Sequence, residues 1–259
     1  MKTPKVFAIL LPLFVVILNA CNFYTGEGIV FPIPTNPEEK DKRLIKEEER
    51  LVDYSKITAV ESNGFRLSHG YSNHGMFNCY WNRNAAKIEN NVLKMSVYKG
   101  SDKFYGSEYR SNSNEFHYGY YATSMKPSNC SGVVSSFFTY TAYPNWHEID
   151  IEFLGKNTRQ VQFNYFLDGV GGHEFLYNLW FDASENFHEY GFEWLENSLT
   201  WYIDGFKVYR VTKSIPYYKQ ALMMNVWNAR GKDDWSGSLD ESKLPTEAQY
   251  QWIAYIPAN

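Results

Sequence analysis

Residues 200–210 read Thr-Trp-Tyr-Ile-Asp-Gly-Phe-Lys-Val-Tyr-Arg, two alternating runs joined by Asp204-Gly205. A period of two belongs to an extended strand with one buried face, and Asp-Gly between two such runs marks a tight hairpin. The same texture fills most of the chain. From about Leu51 onward, short apolar and aromatic runs alternate with polar residues and stop at Gly, Asn, Asp or Pro. No long stretch of helical period follows residue 55, and no segment repeats. Many short strands with frequent turn signals predict an all-β fold, an antiparallel sandwich or barrel. Residues 51–259 are a comfortable length for one such domain.

The first fifty residues read differently. Met1–Lys5 carries two lysines, Val6–Leu18 is almost wholly apolar, and Asn19-Ala20-Cys21 follows. A basic start, a short apolar run and small residues at its end read as a signal peptide over 1–21, with an uncleaved membrane anchor as the alternative. The apolar run is short for a membrane span, which needs about 20 residues. Leu18–Cys21 resembles a bacterial lipoprotein box, in which Cys21 is the lipidated residue. Residues 22–50 read as a spacer. Three prolines and no period run to Pro37, and a nearly all-charged stretch follows, flexible or a solvated helix. The protein is therefore expected to be exported, secreted or held at the cell surface. Its membrane contact would be limited to that lipid. A formal net charge of -4 with no basic stripe argues against a nucleic-acid partner. A monomer is expected.

His147–Gly155 is the most informative segment. Side chains alternate faces along a strand, so Glu148, Asp150 and Glu152 share one side and Ile149, Ile151 and Phe153 the other. A pair of carboxyls is what glycoside cleavage needs: one protonates the leaving oxygen, and the other attacks or activates water. A third carboxylate between them raises its neighbours' proton affinity, because like charges resist joint ionisation. Two other readings fit the segment alone. One is a solvated sheet face with a charged stripe. The other is a Ca²⁺ or Mg²⁺ site, although three in-line residues do not wrap an ion.

Four more segments place polar or aromatic residues two apart: Glu108 and Arg110, Phe138 and Tyr140, Asn164 and Phe166, Asn225 and Trp227. That is same-face spacing, and binding clefts mix a few polar groups with aromatic walls. An aromatic content of 18% fits a site that stacks on sugar rings, and it fits a β core equally well. His147 and His173 read as supporting or surface residues, because no Ser or Cys stands beside them as a nucleophile. No zinc spacing and no phosphate-cradling loop is present.

These segments resemble glycoside hydrolase family 16, and within it the bacterial licheninases. The resemblance runs from about Gly64 to Pro257 through Gly70–Asn73, Met76–Cys79, Glu108–Arg110, Val133–Thr141, Trp146–Lys156, Val161–Tyr165 and Met223–Asn228. It implies a concanavalin-like jelly-roll β-sandwich with a substrate cleft on its concave face. It also implies a retaining mechanism with Glu148 as nucleophile, Glu152 as general acid/base and Asp150 as the supporting carboxylate. Asn73, Glu108, Arg110, Phe138, Tyr140, Trp146, Asn164, Phe166, Asn225 and Trp227 match cleft positions. The implied substrate is mixed-linkage β-1,3-1,4-glucan, because the β-1,3-glucanases of the family often carry an extra residue, a bulge, between the positions of Asp150 and Glu152. β-1,3-Glucan, xyloglucan and a non-catalytic glycan-binding role are the alternatives.

The chain departs from the pattern in four places. Phe166 stands where licheninases have Tyr, and the loop from Thr141 to Trp146 is shorter. Their disulfide joins the position of Cys79 to one that is Gly106 here, which leaves Cys79 with Cys130 as a different pairing. Gln251 replaces an aspartate that helps hold a structural Ca²⁺ in relatives, which counts against calcium. No cofactor is expected to be required.

Overall fold

The computed structural model describes residues 23–24, 28–32 and 42–259. The signal segment and Cys21 lie outside the described residues.

Two antiparallel sheets face each other. The first holds, in spatial order, β4 (Phe65–Leu67), β8 (Phe104–Ser111), β17 (Ala221–Asn228), β10 (Val133–Thr141), β11 (His147–Leu154), β12 (Gln160–Phe166) and β13 (Phe175–Asn178). The second holds β6 (Ala86–Glu89), β7 (Val92–Lys99), β18 (Thr246–Pro257), β9 (Gly119–Lys126), β14 (His188–Leu195), β15 (Ser198–Ile203), β16 (Phe206–Val211), β2 (Gly28–Val30) and β1 (Phe23–Tyr24). β3 (Arg50–Asp53) pairs with the far end of β18, and β5 (Tyr80–Trp81) runs parallel to β8. Pairing of Tyr98 with Tyr105 at one end joins the two sheets. Consecutive hairpins, such as β10–β13 and β14–β16, alternate with neighbours distant in sequence, such as β17 beside β8 and β18 beside β9, which makes this the jelly-roll sandwich that the family resemblance implied.

The hairpin at 204–205 forms as expected. Asp204 has φ 49° and Gly205 φ 79°, the left-handed pair that a two-residue hairpin turn between twisted strands requires. Among the described residues, helix is confined to short pieces, such as Asp233–Ser236.

The core lies between the sheets. From the first come Phe137, Ile149, Ile151, Phe153, Phe163 and Met224; from the second, Tyr121, Phe192, Trp194, Trp201 and Ile253. Two hydrogen bonds reach across and fix the backbone of the central strands. Trp201 Nε1 donates to the Asp150 carbonyl at 3.1 Å, and the Tyr250 hydroxyl donates to the Ser136 carbonyl at 3.0 Å. Ile151 is fully buried at the centre. Ile151→Ala is expected to cost about 2–5 kcal/mol of folding free energy, the range for a large-to-small core change. Urea unfolding followed by tryptophan fluorescence measures it; a loss below about 1 kcal/mol would mean that this face of β11 is not core.

Two findings differ from the sequence reading. Residues 28–30 and 42–50, read as spacer, are packed on the second sheet. β2 extends that sheet beside β16, Ile45 is buried against Tyr120, Tyr202 and Trp252, and Arg43 pairs with Glu193. One apolar residue among charges was enough to anchor the stretch, and its helix is only the single turn Glu47–Glu49. Second, Cys79 and Cys130 do not pair; both are free and buried. Cys130 Sγ lies against the Ser131 and Asp240 carbonyls, whereas a Cβ on Gly106 would stand 2.8 Å from Cys79 Sγ. The partner position is therefore adjacent to Cys79, and only the second sulfur is lacking. Burial pushes the Cys79 thiol up to about 12, so it is inert as a nucleophile. The Gln251 side-chain oxygen accepts the Ser124 hydroxyl at 2.7 Å.

Candidate active site

β11 alternates as its sequence dictates. Ile149, Ile151 and Phe153 are fully buried in the core, and Glu148, Asp150 and Glu152 stand on the opposite, open face. Strand pairing turns this column into a grid. One row across the sheet reads Phe166, Glu148, Tyr140, Ala221. The next reads Asn164, Asp150, Phe138, Met223, Arg110. The third reads Gln162, Glu152, Ser136, Asn225, Glu108. A fourth begins Leu154, Val134, Trp227.

The rows alternate in character. The Glu152 row is wholly polar. Apolar clusters flank it: Phe138, Ala221 and Met223 with Tyr140 on one side, and Val134, Leu154, Trp227 and Trp81 with Phe77 and Trp235 on the other. Phe77 stacks on Trp227 with centroids 4.0 Å apart, and Trp146 stacks on Phe166 at 5.0 Å. A polar band between aromatic platforms suits a pyranose chain, whose hydroxyl edges need hydrogen bonds and whose ring faces are apolar.

Each carboxylate has its own partners. Trp146 Nε1 donates to Glu148 Oε2 at 2.8 Å, and Gln162 Nε2 donates to Glu152 Oε2 at 2.9 Å. Ser68 Oγ donates to Glu108 Oε1 at 2.5 Å, and the Tyr71 hydroxyl donates to Ser68 Oγ at 2.9 Å. Ser136 Oγ donates to Asn225 Oδ1 at 2.6 Å, and Trp81 Nε1 donates to Asn73 Oδ1 at 2.9 Å. Asn73 thus sits on the loop before β5, tied to the aromatic end of the grid.

Burial raises the proton affinity of all three β11 acids. Opposing forces then separate them. The Trp146 and Asp150 hydrogen bonds hold Glu148 down. The charges of Glu148 and Glu174 push Glu152 further up, and only Gln162 relieves it. Asp150, between two glutamates, is raised well above an ordinary carboxyl, first by burial and then by its neighbours' charge. The two outer carboxyls thus differ in surroundings, hydrogen bonds bearing on Glu148 and added negative charge on Glu152, and such a pair is equipped for opposite roles, one anionic and one protonated.

All the cleft residues read from the sequence stand on or beside this face. His147 and His173 do not. His147 is fully buried on the core side of β11 and bonds Asp168 through Nε2 at 3.1 Å; His173 stacks on Tyr165. The sequence reading missed Gln162, Ser136, Ser68, Tyr71, Phe77 and Trp235. Gln162 was within reach, since it lies two residues before Asn164 on one strand. The others need the lateral pairing, which no spacing reveals. Beside the aromatic end, a hollow of ≈ 370 Å³ opens between Phe77, Tyr80, Lys103 and Arg230; it contains none of the three acids. Among the described residues, no cluster of three or more His, Cys, Asp or Glu side chains is arranged to hold a metal.

The chain is similar to known proteins. Beta-glucanases of Paenibacillus macerans and Paenibacillus polymyxa are 48% and 45% identical over 209 residues, covering 79% of this chain and 87% of theirs. The crystal structure of a prokaryotic beta-1,3-1,4-glucanase (lichenase) derived from a mouse hindgut metagenome superposes with a TM-score of 0.74 at 40% identity, covering 80% of this chain and 98% of that one. The sequence profile of glycosyl hydrolases family 16 matches residues 73–253, and the chain belongs to that family.

Proposed function

We propose that this protein is an endo-acting, retaining β-glucanase that hydrolyses mixed-linkage β-1,3-1,4-glucan. The observation that carries the reading is the regular β11 column, with Glu148 and Glu152 on one face, the first held by Trp146 and the second by Gln162. In the first step the Glu148 carboxylate attacks the anomeric carbon while Glu152 gives its proton to the departing glycosidic oxygen. The chain breaks and a glycosyl ester remains on Glu148. In the second step Glu152, now ionised, takes a proton from water, and the water oxygen displaces Glu148 from the same carbon. Trp146 stabilises the anionic Glu148 by donating to Oε2, which leaves Oε1 for attack. Asp150 stands between the two in register with Asn164 and shares a hydrogen bond with Glu148.

Mixed-linkage substrate is supported by the strand itself. β10 and β11 pair without a register shift from Val134 with Leu154 to Thr141 with His147, so no bulge separates Asp150 from Glu152. The 40% identity to a lichenase points the same way. A reducing-sugar assay on barley β-glucan, laminarin and xyloglucan is the test. Release from barley β-glucan is expected. Release from laminarin alone overturns the substrate, and release from none of the three favours a glycan-binding role.

The same proposal places the enzyme outside the cytoplasm as a monomer, with Cys21 lipidated at the mature N-terminus. Intact-mass measurement of the membrane fraction checks this: diacylglyceryl mass on Cys21 supports it, and a chain retaining Met1 contradicts it.

A further inference from the structure

We infer that Trp235, on the short helix outside the grid, is a positioning residue that fixes the Gln162 amide and thereby sets the proton affinity of Glu152. The inference rests on the proposed role of Glu152 for its kinetic consequence, though not for its structural one.

Trp235 Nε1 donates to Gln162 Oε1 at 3.0 Å. The other end of the same amide donates from Nε2 to Glu152 Oε2 at 2.9 Å. An amide side chain has two nearly isosteric ends, one donating and one accepting, and either could face a carboxyl group. An indole N–H can only donate. It therefore selects the amide oxygen, and the NH₂ group must face Glu152. Gln162 is buried, and Trp235 packs near Trp227 with centroids 6.1 Å apart.

The orientation has a chemical consequence. An NH₂ group facing Glu152 favours its carboxylate; an oxygen facing it would favour the acid by accepting the carboxyl proton. The charged groups around Glu152 do not offer another such control. The charges of Glu148 on its own strand and Glu174 before β13 push its proton affinity up. From β10 it meets Ser136, and from β12 Gln162, neither of which titrates. Near Trp235, Lys156 is engaged with the Asp234 carbonyl at 2.6 Å. Among the described residues, the Trp235–Gln162 relay is the one neutral donor path into Glu152. It keeps the acid from becoming too reluctant to release its proton in the first step, and it steadies the carboxylate that must receive one in the second.

The test follows Glu152 in two ways. Glutamate δ-carbons labelled with ¹³C report the titration of Glu152 directly, and the alkaline limb of kcat/KM reports the acid that turnover needs. Trp235→Phe keeps an apolar ring but removes the donor. It is expected to raise the Glu152 titration by roughly half to one pH unit, the size of one hydrogen bond between neutral groups. Gln162→Leu should move it in the same direction, and Trp235→Phe should add nothing in the Gln162→Leu background. A merely structural Trp235 would lower kcat in both backgrounds and leave the titration where it was. The inference is overturned if Glu152 titrates alike in Trp235→Phe and the wild type, or if Trp235→Phe still shifts it when residue 162 is Leu. If the carbon signal moves and the kinetic limb does not, the inference stands and Glu152 is not the catalytic acid.

Discussion

Glu148→Gln is expected to lower kcat on barley β-glucan by roughly 10⁴-fold or more, the scale at which removal of a covalent nucleophile registers in other hydrolases. The substitution keeps nearly the same volume, and Trp146 can still donate to the amide oxygen that replaces Oε2. What it removes is the anionic oxygen to which the proposed mechanism gives the attack. Glu148 sits partly exposed on the open face, so a neutral amide there leaves no buried charge unpaired. Circular dichroism and the urea midpoint should match the wild type. Residual turnover within tenfold of wild type would remove Glu148 from the role, whatever the fold does.

Glu152→Gln should lose about 10²–10⁴-fold in kcat, the usual yield of general acid catalysis. The loss should depend on the leaving group. Natural glucan, whose leaving alcohol needs a proton, should suffer most; an aryl glycoside with an acidic phenol should retain much of its rate of bond cleavage. The sign of the pH effect follows from burial and from the Glu148 and Glu174 charges, which raise the proton affinity of Glu152. The acid is held protonated into the neutral range and is lost as pH rises past it, so wild-type kcat/KM falls on the alkaline side. Glutamine has no proton to lose, so the alkaline limb should vanish in the variant. An alkaline limb of unchanged position and depth would assign the acid to another group.

Both effects depend on one local fact, which the sequence displays openly. Glu148, Asp150 and Glu152 alternate with Ile149, Ile151 and Phe153, and a strand has no other way to arrange them than on two faces. The paired positions at 108 and 110, 138 and 140, 164 and 166, and 225 and 227 were legible for the same reason. Lateral order was not. Ser136 meets Asn225 across 89 residues, and Trp235 meets Gln162 across 73. Such partners are chosen by sheet topology, and a single chain carries no local mark of them. The packed segment at 42–50 was missed because charge count hid one buried isoleucine, Ile45. Gly106 shows the reverse case: the resemblance marked the position opposite Cys79, and the structure brings the two together without a second sulfur to bond.

The central claim is that β11 delivers Glu148 to the anomeric carbon of a bound glucan. A mixed-linkage oligosaccharide ending in a 2-deoxy-2-fluoroglucosyl fluoride forms the glycosyl ester readily and hydrolyses it slowly, so the intermediate can be collected and its peptides mapped by mass spectrometry. The added mass is predicted on Glu148, within the peptide that carries His147–Leu154. An adduct on Asp150, on Glu152 or outside β11 would contradict the account, as would an enzyme that turns over its natural glucan yet acquires no covalent mass.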